Sequence, residues 1–472
     1  MSASMTRTKT PEGGHSGPPK SGLGKLAAVG DGVQTELGCL PADWRVDRFD
    51  SVFDVQQGRQ VSKGNRVGDN QRSFLRTKNV FWNRLDLTDL DEMHFSKADE
   101  TRLALKPDDL LICEGGDIGR TGIWRGAISN CYYQNHLHRA RIRAPKTADA
   151  QFVLFWLWYA FEFGHLYFGR GNVTTIPNLS QSKLRELPVA IPTLAEQRKI
   201  SRVLGLVQRA MEQQERLIAL TTELKKALLH QLFTQGLRGE PQKQTEIGPV
   251  PESWEVATLE DAAVTFDYGT SVKCEYGKAG VPVLRIPNVV VGSIDLSDLK
   301  HGQPKRSELE QLRLRDGDLL FVRTNGVLEN AGRCALYRGE LDGCYFASYL
   351  IRVRVNSSKI LPALVNEYAR TERGKSFLSG RAIRTADGKF NINSGTLKRM
   401  LLPLPRLDEQ KEIVCQLDLL ERKLKLHKAK HSVLNNLFRT LLHQLMTAQL
   451  RVNDLHLPEL PYLAEMTHSI RA

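Results

Sequence analysis

No apolar run in the 472-residue chain reaches the length of a membrane-spanning helix. The longest, FVLFWLWYAF at Phe152 to Phe161, suits a buried helix, and no membrane is expected among the partners. Cysteine is scarce and unpatterned: Cys39, Cys113, Cys131, Cys274, Cys334, Cys344 and Cys415 form no CxxC pair and have no histidines at metal spacing. They read as reduced and mostly structural. The first 34 residues hold 14 Gly, Pro or Ser and no apolar signal core, so residues 1–34 are expected to be a flexible tail and the protein cytoplasmic. Catalytic signatures are missing as well. There is no Asn/Asp-Pro-Pro-aromatic segment for holding a base, no GxGxxG after a strand and no PD…ExK arrangement. ARTERGKS at Ala369 to Ser376 ends like a phosphate loop but has Ala369 in place of the first glycine and follows a predicted helix rather than a strand. His230 and His443 stand without second ligands, which leaves metal binding without support.

What is present is positive charge and a repeat. Lys plus Arg number 66 against 53 Asp plus Glu, a net charge of +13, the field expected of a protein that meets a polyanion. The pentapeptide LLHQL occurs at Leu228 to Leu232 and again at Leu441 to Leu445. Around it, LKKALLHQLFTQGLR and LFRTLLHQLMTAQLR share 9 of 15 residues, and upstream IPTLAEQRKI lies over LPRLDEQKEI at the same offset. Further back, TELGCLPADWRV matches TEIGPVPESWEV and places Trp44 over Trp254. FLRTKNVFWNRLDLTDL matches VLRIPNVVVGSIDLSDL, DDLLI matches GDLLF, and Asn178 falls on Asn391. The chain is therefore a tandem duplication of a unit of about two hundred residues.

Each unit changes texture along its length. The first part carries short β-rich runs such as DLLICE, RARIRA, GDLLFVR and YLIRVRV between Gly, Asn and Asp turns, with one helical patch, and reads as a compact α+β globule. The last part is helical: Ile200, Val203, Leu204, Val207, Met211, Leu217, Leu220, Leu224, Leu228 and Leu232 line one stripe. The second copy repeats this through Ile413, Leu417, Leu420, Leu424, Leu434, Leu437, Leu441 and Leu445. A helix of that length is about 60 Å long and needs a partner, and its duplicate is at hand. The fold expected is α+β: two similar α/β globules separated by two long α-helices that pair as an antiparallel coiled coil. Its expected divisions are the tail 1–34, a first globule 35–190, a central helix 191–240, a linker and second globule 241–403, a distal helix 404–451 and a C-terminal tail 452–472, with GEPQKQTEIGPVPE as the linker at the seam.

The loops differ between copies while the scaffold repeats, which suits two readers of different short elements on one polyanion. The first copy offers VQQGRQVSKGNR, EGGDIGRTG and FGRGNVTT; the second offers DYGTSVK, RTNGV and SGRAIRTADGK. Such loops supply the side chains that bridge phosphates and base edges. The candidate DNA contacts are Arg59, Lys63, Lys78, Arg120, Arg170, Asn172 and Thr174 in the first unit, with Lys273, Arg323, Thr324, Asn325, Arg381, Arg384 and Lys389 in the second. His230, Gln231, His443 and Gln444 are candidates for a helix or subunit interface.

In this order, and twice over, VLRIPNV, GDLLFVRTNG, KFNINSGTLKRMLLPLP and the P-x-L-x-E-Q helix starts resemble the DNA-specificity subunit of type I restriction-modification systems across residues 35 to 451. The resemblance implies that the globules are target-recognition domains, each reading half of a split double-stranded DNA site, with the gap measured by spacer helices. It further implies two docked methyltransferase subunits and motor-endonuclease subunits. S-adenosylmethionine, ATP and Mg would belong to those partners, with no cofactor and no catalysis in this chain. Readers on one spacer address half-sites about 34 to 36 Å apart, one turn of DNA. The N-terminal tail is not required by the pattern. The competing expectations are a stand-alone tandem DNA-binding or scaffold protein, and a methyltransferase or nuclease with cryptic activity of its own.

Overall fold

The computed structural model describes residues 32–144, 146–167, 178–277 and 279–455. They fall into two compact units, one within Met1–Arg209 and Asn436–Ala472, the other Ala210–Asn435. Unit one holds an antiparallel four-stranded sheet in the order Thr121–Ile123, Leu110–Cys113, Leu137–Ile142, Phe53–Gln57. Beside it, Gln71–Leu75 pairs in parallel with Tyr132–Tyr133 and antiparallel with Asp91–His94. Unit two repeats both sheets strand for strand. Cys334–Leu336, Leu319–Val322, Leu350–Val355 and Ala263–Tyr268 make the first, and Tyr345–Phe346, Val281–Leu284 and Lys300–Gly302 the second.

The apolar runs Leu110–Cys113 and Leu319–Val322 are buried at every residue, as central strands covered on both faces must be. The arginines of the neighbouring strands pair with carboxylates: Arg141 lies 2.6 Å from Asp109, Arg354 2.7 Å from Asp318 and Arg352 2.6 Å from Asp267. Both copies also build one turn around a buried asparagine. The Arg76 amide donates to Asn79 Oδ1, and Asn79 Nδ2 donates to the carbonyls of Asp86 and Asp89. Arg285, Asn288, Asp295 and Asp298 repeat this set. The duplication is conserved to individual hydrogen bonds.

The seam differs from a loose linker. Gln242–Thr245 pairs with Gly248–Pro251 in a β-hairpin, and Thr245 Oγ1 donates to the Gly248 carbonyl at 2.7 Å. Gly248 takes a φ of +89°, which a β-carbon would strain, and Val250 is fully buried. The proline and glycine content that read as a linker therefore serves a turn. Gly32–Thr35 and Gly38–Pro41 form the matching hairpin of unit one.

Two helices of great length follow the globules in sequence: the central helix Leu194–Gln235 and the distal helix Leu407–Met446. Each carries Glu-Gln in its first turn; Glu196, Gln197 and Gln410 are buried and Glu409 is half-buried. In unit one, Trp44 Nε1 donates to Glu196 at 3.2 Å while Arg451, just past the distal helix, donates to the same carboxylate at 2.9 Å. In unit two, Trp254 Nε1 donates to Glu409 at 3.0 Å, and the amide of Leu237, just past the central helix, donates at 3.4 Å. The start of each helix thus meets the end of the other, the mark of an antiparallel pair. The glutamine beside each glutamate fastens the helix to the globule. Gln197 Oε1 accepts from the Asp149 amide and Gln410 Oε1 from the Leu361 amide, each of those residues opening a short helix, at Ala150–Trp158 and Pro362–Ala369.

Ile200, Val203, Leu204 and Leu232 of the expected stripe are buried, but Leu220 and Leu224 are more than half exposed. Between the apolar ends the inward face belongs to Gln214, Thr221 and Lys225. Lys225 pairs with Glu421 and lies 3.5 Å from Glu367, and Gln214 meets His427 at 2.9 Å. A buried lysine needs counter-charge, so the ion network selects this face over the leucines. On the distal helix Leu437 is likewise 43% exposed.

Candidate nucleic-acid interface

In unit two the candidate residues converge. Asn325 and Thr324 form a short strand against Phe390–Asn391, which pairs in turn with Ile383–Arg384. Thr324 Oγ1 donates to Asn391 Oδ1 at 3.1 Å. Asn325 Oδ1 accepts from the Val327 amide and closes the RTNGV turn. The Arg323 guanidinium stacks 4.9 Å from the centre of the Tyr268 ring, and Tyr268 is fixed through its hydroxyl to Ser394 at 3.1 Å. Arg384 and Lys389 are exposed on the same small sheet. Lys389 lies 2.8 Å from Asp387, and its ammonium pulls that carboxyl down to about 2. Arg381 is exposed and stacks 4.2 Å from the Phe377 ring. Lys273 stands apart, 87% exposed and 2.6 Å from Glu275, whose carboxylate raises its pKa.

Unit one disperses its candidates. Arg59 pairs with Asp99, donates to Asn65 at 2.9 Å and lies over Phe95, all inside the globule. Arg120 pairs with Asp117, donates to the Thr77 carbonyl at 2.9 Å and stacks on Phe81. Lys78 is bound to Asp89 at 2.7 Å, which raises its pKa, and Lys63 is exposed. Arg170, Asn172 and Thr174 lie outside the described residues.

The two copies share a frame at the mouth of the four-stranded sheet. The Glu114 amide donates to the His136 carbonyl and the Glu114 carbonyl accepts from Leu179; the Arg323 amide donates to Tyr349 and its carbonyl accepts from Ile392. Gly58 and Gly269 occupy one position, each so close to the facing backbone that a β-carbon would come within 2.3 Å or 2.2 Å of a carbonyl oxygen. Gln57 therefore stands where Tyr268 stands, Glu114 where Arg323, His136 where Tyr349 and Asn178 where Asn391. Selection for cations and small polar residues passed over Gln57, Glu114, His136, Tyr268 and Tyr349. Lining the copies up through DDLLI and GDLLF would have set Glu114 against Arg323.

Of the interface candidates, His230, Gln231 and His443 are exposed and Gln444 is half-buried, because the leucines of each LLHQL turn inward. His443 lies 5.7 Å from the Tyr159 ring. Nothing in these residues suggests chemistry of their own. Among the described residues no three His, Cys, Asp or Glu gather to hold a metal. Burial pushes the Cys113 thiol up to about 11 and those of Cys131 and Cys344 to about 12, far from nucleophilic readiness. No helix among them is long and apolar enough to cross a membrane.

A family model described as type I restriction modification DNA specificity domain matches residues 41–222. The type I restriction enzyme EcoKI specificity subunit of Escherichia coli K12 is 23% identical over 390 residues, covering 80% of this chain and 82% of that protein. A putative type I restriction enzyme MjaX specificity subunit of Methanocaldococcus jannaschii is 22% identical over 436 residues, covering 89% and 96%. The fold is shared with the crystal structure of the type I restriction-modification S subunit from M. genitalium, with a TM-score of 0.54 at 17% identity over 85% of this chain and 96% of that one. The repeated globules, the paired helices and these relatives point the same way: residues 41–222 match the type I restriction modification DNA specificity domain, and the whole chain is similar to type I restriction enzyme specificity subunits.

Proposed function

We propose that each unit reads one half of a bipartite, gapped double-stranded DNA site, and that the helices set the spacing and dock two methyltransferase subunits. The observation that carries this reading is the shared frame with different side chains. Identical hydrogen bonds hold the mouth of each sheet, while Gln57, Glu114 and His136 give way to Tyr268, Arg323 and Tyr349. A structural role alone gives no reason for the chemically specific positions at the mouth to diverge within a preserved scaffold. Lys63, Lys273, Arg381, Arg384 and Lys389, all exposed, are suited to phosphates. Arg59, Arg120 and Lys78, held by carboxylates, shape the loops that carry them.

The helices support docking. Leu419, Leu426 and Val433 repeat every seven residues on the distal helix and are 59%, 67% and 65% exposed, with Leu220 and Leu224 exposed on the central one. Apolar side chains at such spacing suit a partner surface, and His230, Gln231, His443 and Gln444 lie near the helix ends. In this reading the chain aims chemistry that its partners perform. Methyltransferase subunits use S-adenosylmethionine, motor-endonuclease subunits use ATP and Mg, and the assembly works in the cytoplasm.

Methylome sequencing of cells carrying the complete system tests the proposal. Two short motifs separated by a fixed run of unspecified bases are expected; a continuous motif would overturn it. Methyl transfer by the purified chain alone is expected to be absent, and its presence would favour the enzymatic alternative.

A further inference from the structure

At one equivalent position the two units carry opposite hydrogen-bonding chemistry. In unit one the Glu114 carboxylate, 14% exposed, receives Gln57 Nε2 at 3.4 Å and lies 3.4 Å from His136 Nδ1, while Gln57 Nε2 also donates to the Asn135 carbonyl at 2.9 Å. A carboxylate seated between an amide and an imidazole, at the end of a buried strand, is an acceptor fixed in place. In unit two the same backbone position bears Arg323. Arg352, Arg354, Arg285, Arg313 and Arg370 of that unit all pair with carboxylates. Arg323 does not, among the described residues; its guanidinium is oriented by the Tyr268 ring and by one long 3.4 Å bond to the Ser348 carbonyl. It is a held cation whose fork lacks a charged partner.

We infer that this position determines specificity in both half-sites with inverted polarity. Glu114 accepts from an exocyclic amino group, cytosine N4 or adenine N6, and Arg323 donates to the O6 and N7 acceptors of guanine. Carboxylates accept from amino groups and guanidinium forks fit guanine because the major-groove edges offer those groups in matching geometry. Gln57 and Tyr268 position the two readers, one by hydrogen bonding and one by stacking. A phosphate contact cannot explain Glu114, since a carboxylate repels the backbone. The inference rests on the proposed DNA-reading function and adds the base chemistry to it.

The test is selection by the purified full chain from a duplex library randomised over both half-sites, comparing wild type with Glu114→Gln and Arg323→Gln, and with Gln57→Ala and Tyr268→Leu as milder variants. Wild type is expected to prefer an amino-bearing base at one position of one half-site and guanine at one position of the other. Glu114→Gln should lower the first preference alone, and Arg323→Gln the second alone, by about 5- to 150-fold, which corresponds to ~1–3 kcal/mol per base contact. The library separates cytosine from adenine in the first arm. Folded variants with unchanged preferences, or with equal weakening on all sequences, overturn the inference and leave the bipartite reading standing. A wild-type chain without any half-site preference overturns both.

Discussion

His138 shows how one side chain ties the core to the mouth of the four-stranded sheet. It is fully buried, its Nε2 donates to the Leu179 carbonyl at 2.7 Å, and Leu179 follows Asn178 at the mouth. Burial lowers its pKa, the Leu179 bond opposing only in part. The folded state therefore binds a proton less readily than the unfolded one. The stabilisation is present above the unfolded value of about 6.5 and is lost as pH falls through the lower folded value. Unit one is expected to lose stability as pH falls below about 6.5, read by thermal unfolding, and His138→Leu should flatten that dependence. A curve unchanged by the substitution would show that His138 is not the group responsible. At this scale the sequence was a partial guide. Arg59 and Arg120 look like DNA contacts because charge in a glycine-rich loop does, yet Asp99 and Asp117 engage them. Glu114 looks repulsive until its equivalence to Arg323 is known.

At the scale of elements, the P-x-L-x-E-Q motif was legible as a helix start but not as a lock. Gln410 is fully buried, accepts from the Leu361 amide at 2.8 Å and donates to the carbonyls of Lys359 and Pro405 at 3.0 and 2.9 Å. Removing it orphans buried groups at ~1–3 kcal/mol for each one left unsatisfied. Gln410→Ala is therefore expected to destabilise unit two by about 3 kcal/mol in chemical denaturation. Leu419→Ala, on an exposed face, should stay within about 0.5 kcal/mol. Equal effects would mean that the motif serves only helix propensity. Periodicity placed the helices because an apolar repeat is local. It misassigned Leu220 and Leu224 because the burial of Lys225 depends on Glu367 and Glu421, which are distant in sequence.

For the whole molecule, the net charge of +13 gives a long-range attraction to DNA, and each phosphate contact releases condensed counterions. Affinity should fall steeply with salt, with a log–log slope of about −0.9 per phosphate contacted. Replacing Lys63, Lys273, Arg381, Arg384 or Lys389 singly by Ala should reduce that slope by about one without changing base preference, as titrations at several salt concentrations would reveal. A shift in base preference from such a variant would place that residue among the readers instead.

The sequence by itself determined the duplication, the two long helices, the β-rich texture of the globules and the lack of catalytic motifs, because each is written in local pattern or in direct comparison of the two copies. Only the tertiary structure decided which polar residues stand together at the mouth of each sheet. Gln57, Glu114, His136 and Asn178 are far apart along the chain, and they meet because Phe53–Gln57, Leu110–Cys113 and Leu137–Ile142 are neighbours in one sheet. Strand pairing is a non-local choice made by the burial of whole apolar faces, and no single stretch of sequence contains it.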